Sequence, residues 1–246
     1  MTETIVIFAC LFVLERLFRA DELPRVRGWY SRALLLNLCA AALLVLVAKT
    51  WTPLMRAQPL SGVFDALHPA LGGLLAFVVY QFFQYWWHRA RHASQFLWNH
   101  VHQLHHSASR IETLAASYAH PLDTGINLML TSAVMWLLLG LPWQAVAVFS
   151  AIEGFYDYFT HANLRTPWWL GYFLQRPEMH RIHHQHGVHA SNYSLPLWDM
   201  LFGTHVNPKP GTVVRCGFDE TREARVLDML VGKDVHSLVE ATSEST

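Results

Sequence analysis

The chain has 246 residues, 52% of them hydrophobic and 15% charged, with basic and acidic side chains in equal number. Soluble domains usually carry about a quarter charged residues, so this composition, with a mean hydropathy of +0.20, points to a membrane protein built as one domain. Zero formal net charge and the lack of a basic stripe give no footing for a nucleic-acid partner. The cysteines Cys10, Cys39 and Cys216 form no close pair and no CxxC, so they read as small hydrophobes. Histidine is the anomaly, with 16 residues.

In chain order, residues 4–19 form a first apolar segment. It lacks a basic start and a small-residue cleavage site, so a retained helix is expected, not a signal peptide. Residues 33–48 are a strong second segment, and residues 70–87 a third that ends in interface-type aromatics. Residues 126–141 and 143–160 flank Pro142 and read as a tight helical hairpin. This last pair, interrupted by Glu153 and Asp157, is expected to dip into the bilayer and return. The predicted fold is therefore all-α and polytopic, with four to five membrane-embedded helices, several shorter than the roughly 20 residues of a full crossing. The loop carrying Arg19, Arg25, Arg27 and Arg32 is assigned to the cytoplasm by the positive-inside rule. Alternating the segments from there brings the ends at His88 and His161 to the same face. One domain, 1–246, is expected: N-terminal membrane helices 1–70, a histidine-motif core 71–205, and a polar tail 206–246 that frays at "ATSEST". Trp86, Trp87, Trp98, Trp168 and Trp169 are expected in an interfacial belt, and Arg89, Arg110, Arg165 and Arg181 at the membrane surface.

The histidines follow helical spacings. "HRARH" places His88 and His92 at i and i+4; "HQLHH" places His102, His105 and His106 at i, i+3 and i+4; "HRIHH" repeats that pattern with His180, His183 and His184. Positions three and four apart share a helix face, so each motif is expected to aim two or three ring nitrogens in one direction, with His161 a further single donor. Nine imidazoles on four elements exceed one metal's needs but suit two metals with four or five each. Neutral imidazole suits iron, zinc, copper and nickel alike, so spacing leaves the metal open. Bis-histidine haem uses only two axial ligands and leaves most of the cluster unexplained. His100 should face away, about 200° around the helix from His102. His186 and His189 read as loop residues, as does His68 before Pro69, and His205 and His236 as isolated ones. His120, in "YAHPLD", is divided between loop structure and support of a ligand.

The stretches "YWWHRARH", "LWNHVHQLHHSA", "HPLDTGIN", "HANLRTPWWL", "PEMHRIHH" and "NYSLPLWDMLFGT" occur in that order over about residues 80–205. Together they resemble the fatty acid hydroxylase/sterol desaturase superfamily of integral-membrane, non-haem di-iron enzymes. The resemblance implies that His88, His92, His102, His105, His106, His161, His180, His183 and His184 bind two iron ions, with zinc able to substitute in a purified form. It also implies O2 as co-substrate and a lipid as substrate. Two positions depart from the family's pattern: Gln81 stands where an acid is common, and Ser194 where glycine is usual. Asp157, four residues before His161, is a candidate to bind iron or to orient that ring; a carboxylate behind a ligating histidine is the commoner arrangement. Gln81 and His120 are the other candidates for supporting a ligand.

These features lead to an O2-dependent lipid hydroxylase, an oxidoreductase, with a desaturase on the same site as the alternative. A non-enzymatic metal or haem protein is the reading from another class; ligands beyond helix ends, not at the bilayer midplane, disfavour it. No GxGxxG and no four-thiolate motif is present, so a separate electron donor is expected. HExxH is absent, which argues against a zinc protease. The expected location is a bacterial inner membrane with the metal site facing the cytoplasm, or the endoplasmic reticulum in a eukaryote.

Overall fold

The protein is described by a computed structural model covering residues 2–188 and 190–236. His189 and the "ATSEST" end of the tail lie outside the described residues. Among the described residues the backbone is helical or irregular, and one isolated antiparallel bridge joins Gln185 to Cys216. The long helices are α1 (Thr2–Leu17), α2 (Trp29–Arg56) and α3 (Pro69–Ala93). A broken helix α4 follows over 95–107, made of Gln95–Leu97, a π-type turn Trp98–His102, and Gln103–Ser107. Helix α5 (Pro121–Ser132) runs into a second π-type turn, Ala133–Leu138, and α6 (Trp143–His161) returns beyond Pro142. Short helices α7 (Pro177–His183), α8 (Pro196–Leu201), α9 (Glu220–Glu223) and α10 (Val226–Leu230) complete the chain.

Proline sets several of these boundaries. Pro69, Pro121, Pro177 and Pro196 each occupy the first helical turn, where a missing N–H costs nothing. The residue before each of them is held extended by the proline ring, so the entry angle is fixed locally. His68 and His120 also cap their helices, each with Nδ1 accepting a backbone N–H two residues on (Ala70 and Leu122).

Helix α6 packs against both α1 and α3, and α2 packs against α5. One apolar core lies between α3, α5 and α6 and includes Phe77, Tyr80, Met135, Phe149 and Tyr156. A second joins the base of α2 (Trp29, Ala33, Leu36) to Trp98, Leu104, Ile111 and Tyr118, and then to Phe218, Met229 and Val235. Within the expected polar tail, residues 216–235 fold back and supply buried core through Cys216, Phe218, Met229 and Val235. Helix α6 runs unbroken through Glu153 and Asp157.

Among the described residues one helix, α2, is long and apolar enough to cross a membrane by length and composition. It exposes Leu34, Leu35, Leu38 and Leu46, and α1 exposes Ile5, Val6, Val13 and Leu17. Of the expected interfacial tryptophans, Trp86, Trp168 and Trp169 are exposed, whereas Trp98 is buried among His92, His102 and His106. Trp87 is turned inward, donating its indole N–H to Asn127 at 3.0 Å. Two of the arginines are likewise internal tethers: Arg181 binds Asp21 and Asn163, and Arg110 binds Glu112 and the Pro24 carbonyl. Asp21, distant in the chain, draws in Arg181, while Glu112, two residues on, holds Arg110.

The contact of α3 with α6 depends on Gly73. A Cβ there would lie 2.7 Å from Val148 and 2.8 Å from the Ala145 carbonyl, whereas one on Gly125 of α5 would meet nothing within 4 Å. We expect Gly73→Ala to destabilise the protein by about 1–3 kcal/mol through overpacking. Gly125→Ala should be neutral or stabilising by up to about 1 kcal/mol. Thermal unfolding in detergent compares the two.

Candidate metal centre

All nine motif histidines converge. Their ring nitrogens form two groups: His88, His92, His102, His106 and His183; and His105, His161, His180 and His184. Within each group, one nitrogen from every residue lies within 4.8 Å of the others. All are buried except His92, which is half-buried. The groups are adjacent, with the His106 ring stacked on that of His184 at 4.3 Å between centroids.

Each HxxHH motif aims two of its three rings at one group, and helix geometry explains the division. At 3.6 residues per turn, i and i+4 are about 40° apart, while i+3 lies about 100° from i+4. Each motif therefore keeps its i, i+4 pair together and sends i+3 to the other group. His102 and His106 join the five-histidine group and His105 the other; His180 and His184 join the four-histidine group and His183 the first. Helices α4 and α7 thus exchange one ring each, and the π-type turn before Gln103 sets the final turn of α4 against α7. His88 and His92, also i and i+4, stay together at the end of α3.

The second ring nitrogen decides the chemistry. His88 Nδ1 donates to the Tyr193 carbonyl (2.7 Å), His183 Nδ1 to Ser191 (2.6 Å), His105 Nδ1 to Tyr118 (3.2 Å) and His161 Nδ1 to Asp157 (2.8 Å). His102 Nδ1 donates to the Asp123 carboxylate at 2.7 Å. Carbonyls and carboxylates only accept, so in these rings Nδ1 carries the proton and Nε2 is a bare lone pair. Yet Nε2 of His105 and of His161 face each other at 3.4 Å, and buried His88 Nε2 has no hydrogen-bond partner. Opposed lone pairs repel unless a cation lies between them. Metal–nitrogen bonds of about 2.1 Å set neighbouring ligand nitrogens roughly 3.0–3.4 Å apart, which matches the Nε2 separations of 2.9–3.4 Å across both groups. The donor set fits a pair of metal ions. Burial, reinforced by nearby positive groups and neighbouring imidazoles, pushes His102, His105, His106, His180 and His184 well below the ordinary histidine value. The rings are therefore neutral and ready to bind at physiological pH.

The expected supporting residues fall differently. Asp157 holds His161 through its backbone carbonyl; its carboxylate stands 3.5 Å away on the Nδ1 side, outside both groups and 47% exposed. His120 caps α5 and meets the Leu230 carbonyl, touching no motif histidine. His100 faces away and His186 bonds the Gly217 carbonyl, as their spacing suggests. Asp123 was not singled out by the sequence, although it sits within "HPLD" at the start of α5. It is buried between the Arg91 guanidinium, Asn127 and His102. An acid in the first turn of a helix that follows a histidine motif was the available signal.

The two departures from the family's pattern touch each other. The Ser194 hydroxyl lies 2.7 Å from both the backbone carbonyl and the side-chain Oε1 of Gln81, while Gln81 Nε2 donates to Glu153 on α6 at 2.7 Å. An amide suits this junction because it donates to the acid and accepts from the serine. Gln81→Glu would set two carboxylates in contact, so we expect a loss of about 1–3 kcal/mol. Adding Glu153→Gln should recover most of it, and a double-mutant cycle on thermal unfolding measures the coupling.

A sequence model described as fatty acid hydroxylase matches residues 73–204, more than half of the chain. The sphingolipid C4-hydroxylase of Schizosaccharomyces pombe is 27% identical over 172 residues, covering 67% of this chain and 59% of the relative. The ornithine lipid hydroxylase of Rhizobium tropici is 32% identical over 142 residues, or 55% of this chain and 42% of the relative. A very-long-chain aldehyde decarbonylase of Oryza sativa subsp. japonica is 29% identical over 138 residues, 54% of each. The chain thus spans about half the length of these curated relatives. No solved structure matches it. On the family match, supported by the order of its histidine motifs, the chain belongs to the fatty acid hydroxylase family.

Proposed function

We propose that this protein is a membrane-bound oxidoreductase that uses a non-haem di-iron centre and O2 to hydroxylate a C–H bond of a lipid. One iron is held by His88, His92, His102, His106 and His183, the other by His105, His161, His180 and His184. The observation that carries this reading is the opposition of buried Nε2 lone pairs whose partner Nδ1 protons are already committed to acceptors. When bound, the two irons supply the one-electron oxidising power that an unactivated C–H bond requires.

The chain's own residues prepare for that chemistry. Asp123, tied to Arg91 and Asn127, places a negative charge behind His102 and raises the ring's donor strength. Segment 216–236 covers α4 from the polar side, with Gln103 bonded to the Lys233 carbonyl (2.7 Å) and to Val235 N–H (3.3 Å). This cover keeps bulk water from the rings. Hydroxylation is preferred to desaturation because relatives named as lipid hydroxylases match the chain.

We place four to five helices, α1, α2, α3 and the α5–α6 hairpin, in the bilayer, with α2 the strongest case. Exposed Trp86, Trp168, Trp169 and Phe173 at the histidine end suit a lipid interface. The arginine-rich 19–32 segment lies at that same end: Ala20 N–H reaches the Asn163 carbonyl (3.0 Å) and Asp21 pairs with Arg181 (2.6 Å). By the positive-inside rule the centre then faces the cytoplasm, where a separate reductase delivers electrons.

His105→Ala should abolish lipid oxidation and lower iron from about two ions per chain towards one, leaving membrane insertion intact. Lipid mass spectrometry of cells with and without the gene should show the gain of one oxygen; loss of two hydrogens would assign the desaturase. Asp123→Asn should weaken iron binding by about 10–100-fold in chelator competition. Two tightly held irons in His105→Ala would overturn the assignment of ligands, and unchanged iron affinity in Asp123→Asn would overturn the supporting role of Asp123.

A further inference from the structure

His88 and His183 come from different helices, α3 and α7, yet their rings meet with centroids 4.4 Å apart. One loop holds both. The Ser191 carbonyl accepts the His183 Nδ1 proton and the Tyr193 carbonyl accepts that of His88. Between these two acceptors stands Asn192. It is fully buried and, at φ +55°, is the one non-glycine residue with positive φ among the described residues. Asparagine tolerates this left-handed conformation better than most side chains, since its short amide bonds locally.

Asn192 is anchored on every side. Its amide Nδ2 donates to the Met179 carbonyl (3.0 Å), one turn before His183, and to the Val206 carbonyl (2.9 Å). Its Oδ1 accepts Val206 N–H (2.8 Å), its own N–H meets the Thr204 carbonyl (2.9 Å), and its carbonyl accepts from Gln175 (2.5 Å). Asp199 then fixes the next two residues, accepting Tyr193 N–H at 2.8 Å and Ser194 N–H at 3.0 Å. Both histidine acceptors are thus locked by a residue that itself touches no histidine ring.

We infer that Asn192 is a positioning residue for the five-histidine site alone: it aims the Ser191 and Tyr193 carbonyls so that His88 and His183 present Nε2 to the same ion. The four-histidine site takes its ring anchors elsewhere, from the Tyr118 and Asp157 carbonyls. This rests on reading the two groups as metal sites. A residue that merely supported the fold would lower stability and leave the metal ratio of folded protein unchanged.

The test is metal stoichiometry of monodisperse, detergent-purified protein reconstituted with Fe(II), with chelator competition for affinity. Asn192→Ala loses both the left-handed tolerance and the amide bonds, so one ion should be weakened by about 10–100-fold and the other retained. Asn192→Gly keeps the backbone conformation and should fall between Ala and wild type; it also serves if the Ala variant fails to fold. His161→Ala removes a ligand of the four-histidine group, and its combination with Asn192→Ala should hold almost no iron because the two changes strike different ions. Two ions held with wild-type affinity in Asn192→Ala and Asn192→Gly would overturn the inference. So would equal weakening of both ions, or a double variant no poorer in iron than His161→Ala alone. Wild-type protein that binds no metal would instead sink the underlying reading of the site.

Discussion

A neutral imidazole has one proton, and the placement of that proton governs this structure. In five of the nine clustered rings a carbonyl or carboxylate takes the Nδ1 proton, which leaves Nε2 as a lone pair directed at other lone pairs. Such an arrangement is unfavourable by itself in a buried setting, where unmet polar atoms carry the full loss of hydration. It becomes favourable once a cation is shared. The fold around the cluster can be understood as the set of contacts that keep those protons facing outward.

The acceptors come from unlike parts of the chain. Tyr118 lies in the loop after α4, Asp123 in the first turn of α5, Asp157 inside α6, and Ser191 and Tyr193 in the loop after α7. No two neighbouring helices could hold the cluster by themselves. The helices provide the exchange of rings between α4 and α7, and the loops provide orientation. Glu15 of α1 extends the same scheme outward: buried, it accepts Thr113 N–H and Asn163 N–H, tying the loop after α4 to the turn after His161. The first helix is therefore part of the scaffold of the centre as well as an apolar surface.

The polar seam between α3 and α5 shows how such a centre can be continuous with an apolar bundle. Arg91 meets Asp123, Trp87 meets Asn127, and Tyr80 meets Thr131, so that positions four apart on α5 pair with residues one turn and then two turns apart on α3. Each rung satisfies a polar group that would otherwise be costly among apolar side chains. Gln81 and Ser194 act similarly on the neighbouring face, where an amide sits between an acid and a hydroxyl. The two departures from the family's pattern are thus one local arrangement.

The sequence by itself determined the helical class, the apolar segments and which histidines carry helical spacings, because helical periodicity and residue type are local properties. Even the division of each HxxHH motif follows from the 100° step of a helix, although only the folded chain shows which motif serves which group. Tertiary structure alone decided the rest. Asp123 supports His102, the Asp157 carboxylate stands aside while its carbonyl binds, Trp98 and Arg181 turn inward, and residues 216–235 close over α4. Apart from the Asp157 carbonyl, one helical turn before His161, these depend on partners distant in the chain, and neither the direction of a carbonyl nor the approach of a distant side chain is written in local spacing.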